Sequence, residues 1–294
     1  MATMRVLPAA VPVGAELRGV DLSEGLVEEH ARTLREAVSR YGVVFLRDQR
    51  ITRRRQVDLS RSLGPLRPPT PESTLQAPGY PDLMRMSNIR VDGRLIGYFE
   101  AGHCWHTDQC YRERPNAYAV MCAVEVPHDT RGEPLGATMF VNMSHAYETL
   151  PTEVKARLRG LSAYHNMQNR FWGDRRSETK RSEQTTHYAV MEGAVHPVLR
   201  AHPVTGATCL YVNERYTEHI VGLTEQESRD LLQRLFEHST RESVRYVHRW
   251  SAGDILIWDD CLVLHHAVPD YGPEHRRLME RTVVMGDTPT AASS

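Results

Sequence analysis

From Ala117 onward the chain is written mostly in short apolar runs bounded by turn residues, and that pattern restricts its fold more than any other feature. The runs Ala117 to Val124, Thr138 to Asn142, Cys209 to Val212, Asp254 to Trp258 and Arg281 to Met285 have the length and residue types of strands. Helical patterns gather elsewhere. Val27 to Tyr41 carries Leu34, Ala37 and Val38 on one face, and Val43 to Leu46 then reads as a buried strand. Arg53 to Leu63 predicts a second helix, ended by Gly64 and the proline-rich Pro65 to Pro71. Ser144 to Leu150 and Glu153 to Leu158 read as short helices, and Thr224 to Glu237 as a longer one with Leu231, Leu232 and Leu235 on its apolar face. Many short strands, with helices at the start and in inserts, predict an α+β, mainly β chain. Its core is expected to be a double-stranded β-helix, or jelly roll, with N-terminal and inserted helices.

No internal repeat or low-complexity tract divides the chain, so residues 1–294 are expected to form a single domain. A chain of 294 residues can remove roughly three quarters of its unfolded surface from water, so its core needs no disulfides. Its 36 basic and 37 acidic residues leave a net charge of −1, which gives no basis for binding nucleic acid or an anionic membrane. No segment approaches the roughly 18–20 apolar residues of a membrane span. Five cysteines, an odd number with no CxxC pair, predict reduced thiols in a cytoplasmic protein. Asn169 to Thr186 is rich in arginine, has little apolar periodicity and includes Phe171 and Trp172. It is expected to be a mobile surface insert, and whether it serves as a lid stays open.

Chemistry first shows at Trp105-His106-Thr107-Asp108. Residues two apart on extended chain point to the same side, so His106 and Asp108 can converge on one metal ion. Two histidines and one carboxylate, with the remaining positions open, is the facial arrangement of non-haem iron(II) oxygenases. A third ligand is therefore needed. By itself His-x-Asp is weak, because 15 histidines make about one such spacing expected by chance.

The C-terminal stretch changes that weight: Gly253-Asp-Ile-Leu-Ile-Trp-Asp-Asp-Cys-Leu-Val-Leu-His265-His266-Ala, then Arg276-Arg277-Leu-Met-Glu-Arg281-Thr. Here the chain resembles the taurine dioxygenase and 2,4-dichlorophenoxyacetate dioxygenase family, and the matches run in order along nearly its whole length. Gly14-Ala-Glu-Leu-Arg-Gly-Val-Asp-Leu and Val43-Val-Phe-Leu-Arg-Asp-Gln look like the family's opening. Trp105 to Asp108 looks like its metal motif, Gly136-Ala-Thr138 like its turn ending in threonine. His202-Pro-Val-Thr-Gly and Leu210-Tyr-Val-Asn213 match the segments before the second histidine.

The resemblance implies iron(II) held by His106, Asp108 and His265, with 2-oxoglutarate and O₂ as cosubstrates. His266 is the competitor; counting from Trp258 favours His265 and puts His266 on the opposite side of the strand. The distal carboxylate of 2-oxoglutarate calls for a planar, doubly donating cation. Arg276 and Arg277 both qualify, and parity with Arg281 favours Arg277, with Thr138 donating a hydroxyl to the same carboxylate. In sulfonate-oxidising members the position matching Arg281 holds the substrate's anionic group; the alternative is a structural ion pair with a nearby carboxylate. Tyr211 is a pocket wall or a core residue. Gly97 to His103 does not match the family's other taurine contacts, so taurine itself is not implied. Asp108 stands where halogenating relatives have a small residue, which implies that this chain does not halogenate.

The expected activity is oxidation of a small carboxylate- or sulfonate-bearing substrate, foremost hydroxylation at an aliphatic C–H, with release of succinate and CO₂. Desaturation or oxidative cleavage would use the same iron site. A zinc hydrolase could also use His, Asp and His ligands but gives the paired arginines and Thr138 no role. A non-catalytic jelly-roll binding protein gives the triad none. Oligomeric state stays open.

Overall fold

The structure, a computed structural model, describes residues 3–68, 75–99, 102–168 and 193–293. The insert at 169–186 and its lid role lie outside the described residues. Eight strands form the large sheet, in the order Arg5–Pro8, Ala15–Arg18, Val43–Leu46, Ile255–Asp259, Asn116–Glu125, Leu278–Met285, Tyr80–Ser87 and Gln76–Ala77. Neighbours are antiparallel except Ala15–Arg18 beside Val43–Leu46. A smaller sheet has Thr138–Asn142 in its centre, flanked by Tyr246–His248 and Val263–Ala267.

Alternation along these strands builds the layers. Val43, Phe45, Ala119, Met121, Leu256, Trp258 and Met279 pack with Phe140 and Val263 of the small sheet into one core cluster. Val44, Leu46, Val120, Ile255 and Ile257 face the other way, onto Leu34, Ala37, Val38 and Leu59 of the helices Glu28–Tyr41 and Arg53–Leu63. The result is a jelly roll of two facing sheets, neither closed into a barrel, with the N-terminal helices on the outer face. On the far side of the small sheet, helix Glu225–Ser239 packs Leu231, Leu232, Leu235 and Phe236 against Val141 and Leu264. Its start is a capping box, in which Thr224 and Glu227 bond each other's backbone N–H.

Strand Val43–Leu46 and helix Arg53–Leu63 lie where the apolar pattern predicts them. The C-terminal strand is longer than its expected Arg281 to Met285, beginning at Leu278. Glu280 and Arg281 conceal that start, because both charges are satisfied inside the protein. Glu280 accepts from Arg53 and faces the helix; Arg281 turns inward. The strand expected from Cys209 to Val212 is instead Thr208–Leu210, since Tyr211 bonds back to the Val198 carbonyl at 2.7 Å. No helix of the described residues is long and apolar enough to cross a membrane.

Gly42 joins the first helix to the sheet at a φ of +73°, and a Cβ there would lie 2.5 Å from Cγ1 of Val263. Val263 opens the strand that carries His265. Gly42→Ala is expected to cost about 1–3 kcal/mol of stability through overpacking, seen as a lower denaturant midpoint. An unchanged midpoint would show that Val263 yields freely.

Candidate metal and cosubstrate site

His106 and His265 meet through backbone pairing before their side chains do anything. His106 N–H donates to the His265 carbonyl at 3.1 Å and His265 N–H returns to the His106 carbonyl at 2.8 Å. The two rings consequently stand 4.1 Å apart between centroids. Asp108, two residues on, comes round to the same place, with Oδ1 3.7 Å from His106 Nε2. Thr107 anchors the turn between them by donating its hydroxyl to the Asp260 carbonyl at 2.6 Å. One ligand atom from each of His106, Asp108 and His265 lies within 4.8 Å of the others, and all three residues are buried.

The chemistry of this set fits a divalent metal. His106 Nδ1 lies 2.8 Å from the Cys104 carbonyl, so it carries the proton and leaves Nε2 with a lone pair aimed toward Asp108. His265 has a buried Nδ1 without a hydrogen-bond partner. Burial, reinforced by His106, holds His265 well below the ordinary histidine range; burial lowers His106 too, against the pull of Asp108. Both rings therefore stand neutral, the form that binds metal. Burial alone would raise the Asp108 carboxyl, but its neighbours, the paired Arg281 guanidinium foremost, hold it below the ordinary carboxylate range.

Strand parity separates the neighbouring histidines. His265 turns inward against Phe140 and Trp258, at ring-centroid distances of 6.0 and 5.1 Å. His266 turns outward against Trp105, at 5.5 Å. Parity separates the arginines as well. Arg276 is on the surface, with Nε 2.8 Å from Glu125. Arg277 is buried at 8% exposure, its Nε without a hydrogen-bond partner. It packs against Gly136, two residues before Thr138. The buried Thr138 hydroxyl accepts from the Trp250 indole at 3.0 Å, which leaves its own proton to donate elsewhere.

Arg281 and Asp108 form an ion pair, Nη1 to Oδ2 at 2.8 Å. The nearby carboxylate weighed from the sequence as a structural partner for Arg281 is thus itself a member of the triad. Tyr211 lies among other residues. Its ring sits under the Arg200 guanidinium at 4.5 Å and beside His165 and His196, with its hydroxyl buried and unpartnered. That is the packing alternative, and no ring contact among the described residues joins Tyr211 to the triad.

Two contributors were not singled out from the sequence. Asp260 accepts from the Trp258 indole at 3.0 Å and bonds the Asp108 N–H at 3.4 Å; burial and the adjacent Asp108 push its carboxyl well above the ordinary range. Asp270 accepts the Gly136 N–H at 2.6 Å, and Tyr271 follows it beneath Arg277. Only the doubled aspartate after Trp258 marks the first in the sequence; nothing marks the second.

The family model described as "Taurine catabolism dioxygenase TauD, TfdA family" matches residues 5–283. Pentalenolactone F synthase of Streptomyces arenae is 30% identical, the match covering 97% of each chain. The alpha-ketoglutarate-dependent 2,4-dichlorophenoxyacetate dioxygenase of Cupriavidus pinatubonensis is also 30% identical, over 93% of this chain and 94% of that one. Among solved structures, a taurine dioxygenase from Burkholderia xenovorans superimposes with a TM-score of 0.80 at 28% identity, covering 98% of this chain and 91% of its own.

Proposed function

The chain belongs to the TauD/TfdA family of iron(II)- and 2-oxoglutarate-dependent dioxygenases, and from that premise we propose that it oxidises a small substrate bearing a carboxylate, sulfonate or similar anion, foremost by hydroxylating an aliphatic C–H. The observation that carries the substrate class is Arg281, an inward-facing cation 2.8 Å from the triad carboxylate and apart from the cation assigned to the cosubstrate. Such a guanidinium offers paired donors to an anionic group, and its position beside Asp108 brings the rest of that molecule next to the metal site.

His106, Asp108 and His265 would hold the iron on one face. Arg277 and Thr138 would take the distal carboxylate of 2-oxoglutarate. Bound together, iron, 2-oxoglutarate and O₂ supply the oxidising chemistry, and 2-oxoglutarate leaves as succinate and CO₂. The chain's own residues bind and orient. Neutral histidines present lone pairs, Asp108 supplies one negative charge, and Arg281 keeps Oδ2 occupied so that Oδ1 faces His106. Phe140 and Trp258 close the inner side of His265 with apolar surface.

The test is a screen of small sulfonates, carboxylates, amino acids and aryloxyalkanoates for stimulation of iron(II)-dependent succinate release. With the best substrate in hand, Arg281→Gln is expected to keep 2-oxoglutarate binding and to uncouple turnover, succinate forming without matching product. The substrate assignment fails if uncharged or cationic compounds are the best substrates and Arg281→Gln oxidises them normally.

A further inference from the structure

The connection from Val268 to Arg277 is held at several points, and the groups that hold it surround one guanidinium. Val268 N–H donates to the Ala137 carbonyl at 2.8 Å, and Asp270 accepts the Gly136 N–H at 2.6 Å. Asn88 donates to the Gly272 carbonyl at 3.2 Å and also to that of His275, while its Oδ1 accepts the Arg277 N–H at 2.9 Å. Ser87 closes the far end by donating to the Arg277 carbonyl at 2.7 Å. Between these ties Tyr271 turns inward. Its ring centroid is 5.5 Å from Cζ of Arg277, and Phe99 backs it at 6.3 Å. A Cβ on Gly136 would lie 2.9 Å from Arg277 Nε and 3.0 Å from Cε1 of Tyr271, so the three residues are in close contact.

We propose that Tyr271 is the positioning and specificity residue of the 2-oxo acid pocket, fixing how far the Arg277 guanidinium reaches toward the bound cosubstrate. This rests on the assignment of Arg277 above. A long arginine side chain has several rotamers, and only a well-placed fork binds a carboxylate through two parallel bonds. The Tyr271 ring closes one face of the guanidinium through cation–π contact, and Gly136 allows that approach because it has no side chain. The pair therefore sets the pocket's depth, and with it the length of 2-oxo acid that can span metal and arginine. Removing the ring lets Arg277 retreat into the vacated space, which weakens the hold on 2-oxoglutarate and makes room for an acid one methylene longer.

The experiment titrates 2-oxoglutarate and 2-oxoadipate into Mn(II)-loaded protein without turnover, using wild type, Tyr271→Phe, Tyr271→Leu, Tyr271→Ala and Arg277→Ala. Tyr271→Ala is expected to weaken 2-oxoglutarate by about tenfold or more. It should leave Mn(II) affinity unchanged and shift the preference between the two acids toward 2-oxoadipate. Tyr271→Phe, which keeps the ring but loses the hydroxyl's hydrogen bond to Arg277, should weaken 2-oxoglutarate less than Tyr271→Ala and keep the wild-type preference between the two acids. In turnover the alanine variant should raise KM for 2-oxoglutarate and keep kcat. If Tyr271→Ala does not fold, Tyr271→Leu must show the same shift. Unchanged affinity and preference, or equal loss of Mn(II) and both acids, overturns the inference while Arg277→Ala still abolishes binding. Normal 2-oxoglutarate binding by Arg277→Ala overturns the cosubstrate assignment itself.

Discussion

His265→Ala is expected to abolish oxygenase activity and to remove measurable iron(II) binding, while His266→Ala keeps both a metal site and turnover. The two side chains are consecutive, so no argument from distance along the chain separates them. Strand geometry does. His265 shares the inner face with Val263, packs on Phe140 and Trp258, and exchanges both backbone bonds with His106. His266 lies on the outer face against Trp105. Losing one of three direct ligands should weaken binding by more than the ~10–100-fold that removal of an outer-shell partner costs. Calorimetric titration with Mn(II) or Co(II) measures this without catalysis. Loss of metal in His266→Ala, with retention in His265→Ala, would mean that the strand is read one residue out of register. Because His265 is buried with an unpartnered ring nitrogen, His265→Ala also deletes a polar atom that nothing in the described protein satisfies. Without metal, its unfolding stability should fall less than that of an apolar core truncation, which separates lost ligation from lost folding.

The triad and the cation pair were legible mainly through the family resemblance, which supplied His265 and singled out the arginines; the spacing of extended backbone only supported it. His106 and Asp108, and Arg277 and Arg281, are spaced so that any strand or strand exit brings each pair to one side. Val43 to Leu46 and Asp254 to Trp258 were legible as strands from their apolar runs, and residues 43–46 and 255–258 alternate between two buried faces. What escaped was set by contacts distant in sequence. Glu280 reads as a surface charge until Arg53, 227 residues away, is placed over it. Asp270 and Tyr271 lie in a connection whose length no periodicity constrains, and Gly136, 134 residues earlier, gives them their role. The sequence leaves Tyr211 open between pocket wall and core packing, and its ring lies against Arg200, on the paired strand.

Arg277→Ala is expected to raise the 2-oxoglutarate concentration needed for half-saturation by orders of magnitude, with Arg276→Ala close to wild type. The two differ in what each guanidinium already does. Arg276 is 63% exposed and bonded to Glu125, a surface pair of the kind that contributes about 0–1 kcal/mol. Arg277 is buried, and burial holds it below the ordinary arginine range, with Tyr271 and Asp270 offsetting part of that cost. Its Nε has no hydrogen-bond partner, so a cation already removed from water retains a donor for an incoming carboxylate. Truncating one partner of such a pair costs about 2–5 kcal/mol. At ~1.4 kcal/mol per tenfold, that is roughly 30- to 4,000-fold in affinity. Arg277→Lys should fall between, keeping the charge and losing the fork. Titrating 2-oxoglutarate into Mn(II)-loaded variants reads the difference directly, and metal affinity serves as the control because Arg277 touches no member of the triad in any described contact. A large loss in Arg276→Ala beside a silent Arg277→Ala would transfer the anchor to the surface residue and require the Leu278–Met285 strand to begin on its other face.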